Sequence, residues 1–255
     1  MASPILISLD AMGGDHGPSV VVGGVKAYYS LYGGDGVRFL LHGDEAAIRA
    51  EMARLHVSGD VCEVRHTDKV VAMDEKPAQA MRRGKGSSLW NAIEAVKTGE
   101  AQAAVSAGNT GALMAISKLV LRMAVDGLER PAIVASWPTK RGFTAVLDVG
   151  ANIGSDARQL VEFAIMGEAF QSAVHGVAKP TVGILNVGSE EMKGHDEVRE
   201  AHAVLRTDAV PVNYTGFVEG HDIAAGTVDV VVTDGFTGNV ALKTAEGTAR
   251  FISGL

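Results

Sequence analysis

Short runs rich in β-formers alternate with longer stretches of helical spacing from one end of this chain to the other. The runs Ile5–Asp10, Arg38–His42, Cys62–His66, Ala103–Ser106, Ala132–Ser136, Thr144–Asp148, Thr181–Leu185 and Val228–Thr233 read as strands. The stretches Asp44–His56, Ser87–Thr98, Asn109–Met123 and Asp156–Val174 read as the helices between them. A strand that returns parallel to its predecessor needs a crossover, and a helix is the usual one, so this alternation predicts βαβ units. The almost wholly apolar segment Val228–Val232 suits a strand covered on both faces. The expected fold is therefore α/β, with one mostly parallel sheet under helices on both sides. No repeat or linker interrupts the pattern, so residues 1–255 are expected to form a single domain.

Composition narrows the functions available. With 47% hydrophobic and 21% charged residues, 255 residues can bury a substantial core, which excludes a disordered chain. A formal charge of −7 argues against nucleic acid as the main partner, because a phosphate backbone demands a basic face. The single cysteine, Cys62, excludes an internal disulfide, fits a reducing cytoplasm, and lies in an apolar run as a buried inert thiol rather than a nucleophile. The first ten residues lack the basic region of a targeting segment. The most apolar stretch, Gly111–Val125, is interrupted by Lys118 and Arg122. Its Leu113, Ile116, Leu119, Val120 and Met123 follow helical spacing, which predicts a core helix rather than a membrane span.

Four loops share one design. Each begins where a strand ends and finishes where a helix starts: Asp10–Pro18, Ser106–Ala112, Asp148–Asn152 and Thr233–Asn239. In open α/β sheets that edge is where ligands bind. Glycines let backbone amides approach an anion closely, and the following helix adds its positive end. Taken singly, each loop reads equally well as a helix cap with a glycine turn. Together they favour a shared anion site. Familiar alternatives fail on spacing. Gly84-Lys-Gly-Ser-Ser88 lacks the leading glycine of a P-loop, since position 79 is Gln. Ser106 lacks the first glycine of a nucleophile elbow, and no dinucleotide fingerprint follows the first strand. His195 and His202, beside Asp196 and Glu197, read as a solvated helix rather than a metal site. Neither metal nor cofactor is expected.

Read together, Asp10–Pro18, Lys85–Leu89, Ser106–Ala112, Asp148–Asn152, Gly188–Gly194, Gly216–Gly220 and Thr233–Asn239 closely resemble the bacterial phosphate:acyl-carrier-protein acyltransferase family. The resemblance implies the three-layer α/β/α architecture of isopropylmalate and isocitrate dehydrogenases and of phosphotransacetylases. It implies transfer of a long-chain fatty acyl group from acyl carrier protein to inorganic phosphate, giving acyl phosphate for phospholipid synthesis. It further implies a cytoplasmic homodimer, peripheral on the inner face of the membrane, that supplies a downstream membrane acyltransferase for glycerol 3-phosphate. Family members run past the position of Leu255, so the chain is expected to lack a C-terminal portion and to dimerise weakly. The rivals are a phosphotransacetylase-like or dehydrogenase-like enzyme on the same fold, and a non-catalytic scaffold for lipid synthesis.

Phosphate is already anionic at neutral pH, so this reaction asks the protein for positioning and for oxyanion stabilisation rather than for a covalent nucleophile. Lys193, Asn152 and Asn239 suit the second task, and Asp234 could orient a lysine or an amide. Lys193 reads equally as a solvated lysine beside Glu190 and Glu191, and Asp234 equally as a cap. Substrate binding is expected from Asp10, Gly13, Gly14 and Asp15, from Ser87 and Ser88, and from Ser106, Gly108, Asn109, Thr110 and Gly111. Thr237, Gly238 and Lys243 complete that set. Acyl carrier protein is acidic, and Arg82, Arg83 and Lys85, the densest basic cluster, are expected to dock it.

Overall fold

A computed structural model describes residues 4–33 and 36–254. The chain divides after Asp126 into two compact units, and each is a parallel or mostly parallel sheet with helices on both faces.

The first unit holds strands β1 (Ile5–Asp10), β2 (Val37–Gly43), β3 (Cys62–His66) and β4 (Ala103–Ser106), all parallel, in the order β3-β2-β1-β4. Its helices are α1 (Pro18–Tyr32), α2 (Glu45–Leu55), α3 (Pro77–Arg83), α4 (Ser88–Lys97) and α5 (Thr110–Leu121). Side chains alternate across the sheet, as the period of a strand requires. Leu9, Phe39 and Leu41 pack with Val22 and Val25 of α1 and with Ile48 and Met52 of α2. Leu40, of the opposite parity, packs with Ala95 of α4. Helices α3, α4 and α5 share a satellite core that includes Ala80, Leu89, Ile93 and Ile116. The chain winds outward from β1 to β3, then crosses back to β4 on the other side of β1. The gap between β1 and β4 is thus a topological switch point.

The second unit holds β5 (Val134–Thr139), β6 (Gly142–Leu147), β7 (Thr181–Leu185), β8 (Asn213–Val218) and β9 (Val230–Val232), in the order β5-β6-β9-β7-β8. Only β5, which pairs with β6 as a hairpin, is antiparallel. Its helices are α6 (Ala157–His175), α7 (Asp196–Leu205), α8 (Gly220–Ala225) and α9 (Gly235–Ser253). Strand β9 is buried on both faces. Val230 and Val232 join Leu160 and Phe163 of α6 in one core, while Val231 joins Ile223 of α8 in another. Gly167 on α6 allows this close approach, since a methyl there would strike Leu147 and Val230.

Several expectations need correction. The single sheet is two sheets, because strand periodicity shows where strands lie and not which ones pair. The strand read at Ala132–Ser136 is Val134–Thr139, and that read at Thr144–Asp148 is Gly142–Leu147. Pairing in the hairpin, with Gly142 at φ 123, shifts both toward their shared turn. Helix α5 covers most of the Gly111–Val125 stretch but stops at Leu121, before the expected Met123, where Arg122 turns to φ 63; Cys62 is buried, its thiol pushed up to about 11 by that burial. Among the described residues no helix is long and apolar enough to cross a membrane. Residue 255 lies outside the described residues.

Candidate functional site

Strand β1 ends in Asp10, and β4, its neighbour across the switch point, ends in Ser106. The Ser106 hydroxyl donates to Asp10 Oδ2 at 2.7 Å and accepts from the Gly108 amide at 3.0 Å. Gly13 lies against this pair. A methyl there would stand 2.7 Å from Asp10 Oδ2 and 2.8 Å from the Gly108 nitrogen, so only glycine lets the two loops meet. Gly14 has φ 84 and packs on the Ala107 carbonyl. Asp15 and Thr110 are exposed. Asn109 caps α5 through the Ala112 amide, and its Nδ2 donates to the carbonyls of Ala72, Met73 and Glu75. Gly111 admits Pro77 at the start of α3. The first two loops are therefore brought together, and Asn109 ties the segment before α3 to them.

Ser87 and Ser88, expected to touch substrate, are instead fully buried. Ser87 caps α4 by accepting from the Trp90 amide. The Ser88 hydroxyl has no hydrogen-bond partner among the described residues, and the Ser88 amide donates to the Lys69 carbonyl. Arg82, Arg83 and Lys85 are exposed, around the last turn of α3, and take part in no ion pair among the described residues. Lys69 joins them, its ammonium bonded to the Lys85 carbonyl at 2.7 Å.

In the second unit the loops after β6 and β9 are joined through their backbones, the Gly235 amide donating to the Asn152 carbonyl at 2.8 Å, and a buried carboxylate, Asp148, holds the first of them. Asp148 accepts from the amides of Ile133, Gly150 and Ala151 at Oδ1, and from the amide and side chain of Asn152 at Oδ2. Five N–H donors satisfy a charge that burial would otherwise disfavour. The remaining hydrogen of the Asn152 amide goes to the Pro131 carbonyl at 2.9 Å. Asn152, expected as a donor to the reacting centre, therefore spends both hydrogens inside the fold. Gly235 and Gly238 at the start of α9 lie so close to Asn152 and Asp148 that any side chain would collide with their carbonyl oxygens. This contact presents Asn239, exposed, with one amide hydrogen on the Val149 carbonyl at 3.1 Å and the other without a partner among the described residues. Asp234 caps α9, accepting from the amide and the hydroxyl of Thr237. Lys243 lies two turns along α9 and pairs with Glu246 at 2.9 Å, away from the helix's positive end.

Lys193 follows β7, the strand on the other side of β9. Its ammonium pairs with Glu190 at 2.7 Å, and both side chains are at least half exposed. The ion pair holds the Glu190 carboxyl below the usual range. Sequence reasoning missed Asn186, which follows β7 as Asp148 follows β6. Its Nδ2 donates to the Lys193 carbonyl, its Oδ1 accepts from Val187, and Gly194 packs on its amide group. The motif read there began at Gly188, two residues too late to include it.

A cavity of about 520 Å³ opens at the carboxyl edge of the same sheet. Ser155, Asp156, His195, Asp234 and Thr237 supply polar walls, and Ile153, Leu160, Val198 and Phe236 apolar ones. Asp156, His195 and Asp234 are the capping positions of α6, α7 and α9, so three helices start at this cavity. His195 makes no side-chain cap. Its place here was unreadable because neither spacing nor neighbouring charge marks it. Among the described residues no group of three or more His, Cys, Asp or Glu side chains could hold a metal ion.

Residues 5–255 match a family described as fatty acid synthesis protein. A phosphate acyltransferase of Caulobacter vibrioides is 70% identical over 253 residues, covering 99% of this chain and 69% of that protein. One from Phenylobacterium zucineum is 65% identical over 255 residues, covering 100% and 72%. Among solved structures, a phosphotransacetylase from Streptococcus pyogenes superposes with a TM-score of 0.68 over 97% of this chain and 82% of that one, at 18% identity. The last likeness is one of fold.

Proposed function

The chain belongs to the fatty acid synthesis protein family, among relatives that are phosphate acyltransferases, and from that premise we propose that it moves a long-chain acyl group from acyl carrier protein to inorganic phosphate. It is an acyltransferase of fatty acid synthesis; the carrier thioester, the phosphate and the acyl phosphate product are the proposal. A phosphate oxygen attacks the thioester carbonyl carbon, the new C–O bond forms and the C–S bond breaks. The thiolate leaves with the proton that hydrogen phosphate brought, giving acyl phosphate and the free carrier thiol.

The observation that carries this reading is the joined pair of loops after β6 and β9. Buried Asp148 holds the first, the Gly235 amide ties the second to it, and Asn239 stands on the second, which follows β9, the strand next to the one that Lys193 follows. In this reading Asn239 donates its free hydrogen to the carbonyl oxygen as charge develops there, and Lys193 offsets the charge of phosphate. Asn152 and Asp234 act through others. Asn152 orients Asp148, and Asp234 fixes the first turn of α9, with Thr237 and Gly238 in it. Phosphate competes with Glu190 for Lys193, and that exposed ion pair is weak enough to be exchanged. In the first unit, Asp10, Gly13, Gly14, Asp15, Ser106, Gly108, Asn109, Thr110 and Gly111 form the substrate-binding loops of the proposal. Arg82, Arg83 and Lys85, with Lys69 beside them, offer an acidic carrier a basic docking surface on an otherwise acidic chain.

The same reading gives a cytoplasmic homodimer at the inner face of the membrane. There it passes its product to a membrane acyltransferase for glycerol 3-phosphate. An acyl phosphate joins an apolar tail to a reactive anhydride, so short delivery at a lipid surface suits it. Release of carrier thiol from a long-chain acyl carrier protein tests the reaction. The proposal expects release that requires phosphate. Release without phosphate, or release only from acyl coenzyme A, counts against it.

A further inference from the structure

We propose that the cavity lined by Ile153, Leu160, Val198 and Phe236 receives the acyl chain of the substrate, an assignment that rests on the acyl-transfer reading above. Its volume, about 520 Å³, lies within the range of small-molecule sites. Charge decides what enters. Asp156, Glu197 and Asp234 stand in its wall, and His195 is the one lining residue among those described that can carry a positive charge. Asp156 and Asp234 already accept from the first-turn amides of α6 and α9, so this wall has little to offer phosphate and is indifferent to an uncharged chain. The four apolar walls then have a use that an anion does not give them.

Its surroundings fit the same occupant. Phe236 is 61% exposed and Ile153 73% exposed, and Val187, Met192 and Val240 are also exposed, on the loops that follow β6 and β7 and on the first turns of α9. Single exposed apolar residues are ordinary, but a group of them around a polar sheet edge marks a binding surface. The cavity also begins where the proposed chemistry ends. His195 is two residues from Lys193, and Thr237 two from Asn239. A thioester carbonyl held by Asn239, facing a phosphate held by Lys193, would leave its chain at the cavity mouth.

The test uses S-acyl N-acetylcysteamine thioesters, uncharged and carrying octanoyl, decanoyl or dodecanoyl chains, titrated calorimetrically into the whole chain without phosphate. Affinity is expected to tighten by about fourfold for each methylene buried, until the cavity is full. Ile153→Ser and Phe236→Ser, both at exposed positions, are expected to weaken the dodecanoyl compound by about tenfold, with the octanoyl compound little changed and thermal melts intact. Phe251→Ser, exposed at the far end of α9, serves as the control and is expected to leave the series as it is. A series flat in chain length, or an equal loss in the control, overturns the assignment. So does a wild-type dimer that Phe236→Ser dissociates while the series stays unchanged, since a second copy then covers the rim. Because no phosphate or carrier is present, the two readings fail separately. A normal series without acyl phosphate formation removes the reaction and keeps the cavity, and the reverse result removes only the cavity.

Discussion

A methyl group on Gly238 would collide with the Asp148 carbonyl oxygen, while one on Gly247, further along the same helix, would meet nothing within 4 Å. The two positions should therefore respond oppositely to alanine. Gly238→Ala forces apart the loops after β6 and β9 and is expected to cost about 1–3 kcal/mol, as overpacking does. Gly247→Ala relieves only the entropy of a helical glycine and is expected to stabilise by about 0.5–1 kcal/mol. Paired denaturant titrations check both. Equal effects would mean that the loops do not depend on this contact. At this scale the sequence was informative about residue type and poor about partners. Asp148, Asn152, Asp234 and Asn109 all sit at the edge where strand ends predicted them. The caps made by Asn109 and Asp234, each to an amide three residues on, were among the readings the loops allowed. The bonds from Asn109 to Ala72, Met73 and Glu75 and from Asn152 to Pro131 were not, because hydrogen-bond partners far along the chain leave no mark on local spacing.

Elements were legible where periodicity was clean. Strands β1, β3, β4 and β7 have the bounds read from the sequence, and α5 was found in the stretch whose apolar residues recur at helical spacing. Strand β8 was missed because Asn213-Tyr-Thr-Gly-Phe-Val218 carries Asn and Gly within a run at the sheet's edge. Helices α3 and α8 were missed because neither is long enough to show a period. Helix α3 still carries a testable claim. Charge reversal at Arg82 and Arg83 is expected to raise KM for acyl carrier protein and to weaken its salt dependence, leaving kcat nearly constant. An unchanged KM at low salt would remove these residues from docking. Helix α7 and strand β8 carry another. His202 stacks on Phe217, bonds the Tyr214 hydroxyl through Nδ1, and has its ordinary pKa lowered, first by burial and then by Arg206. The folded state thus binds this proton less readily than the unfolded chain. Stability is then full above the unfolded pKa of about 6.5 and falls as acid is added below it. Thermal melts between pH 7.5 and about 5 should fall more steeply for the wild type than for His202→Gln. Parallel slopes would show that His202 is not responsible.

At the scale of the whole molecule, alternation was enough for an α/β fold and not for its partition into two sheets. That partition depends on which strands find each other, which is a property of tertiary packing. The chemistry shows the same division. Glycine-rich strand ends pointed to anion-handling loops, and the structure shows that Asp148 and Asn152 spend their bonds inside those loops, while Lys193 and Asn239 have exposed side chains. The central claim is that these two stabilise charge while phosphate takes the acyl group. Hydroxylamine trapping of acyl phosphate, formed from a long-chain acyl carrier protein and phosphate, tests it most directly on wild type, Lys193→Ala and Asn239→Ala. Hydroxamate is expected from the wild type only when phosphate is present. Its rate should fall by about 10²–10³ in each variant, the usual loss for one preorganised donor, with melting temperatures unchanged. Hydroxamate formed at the wild-type rate by both variants would contradict the account and leave Lys193 a solvated lysine and Asn239 a helix residue.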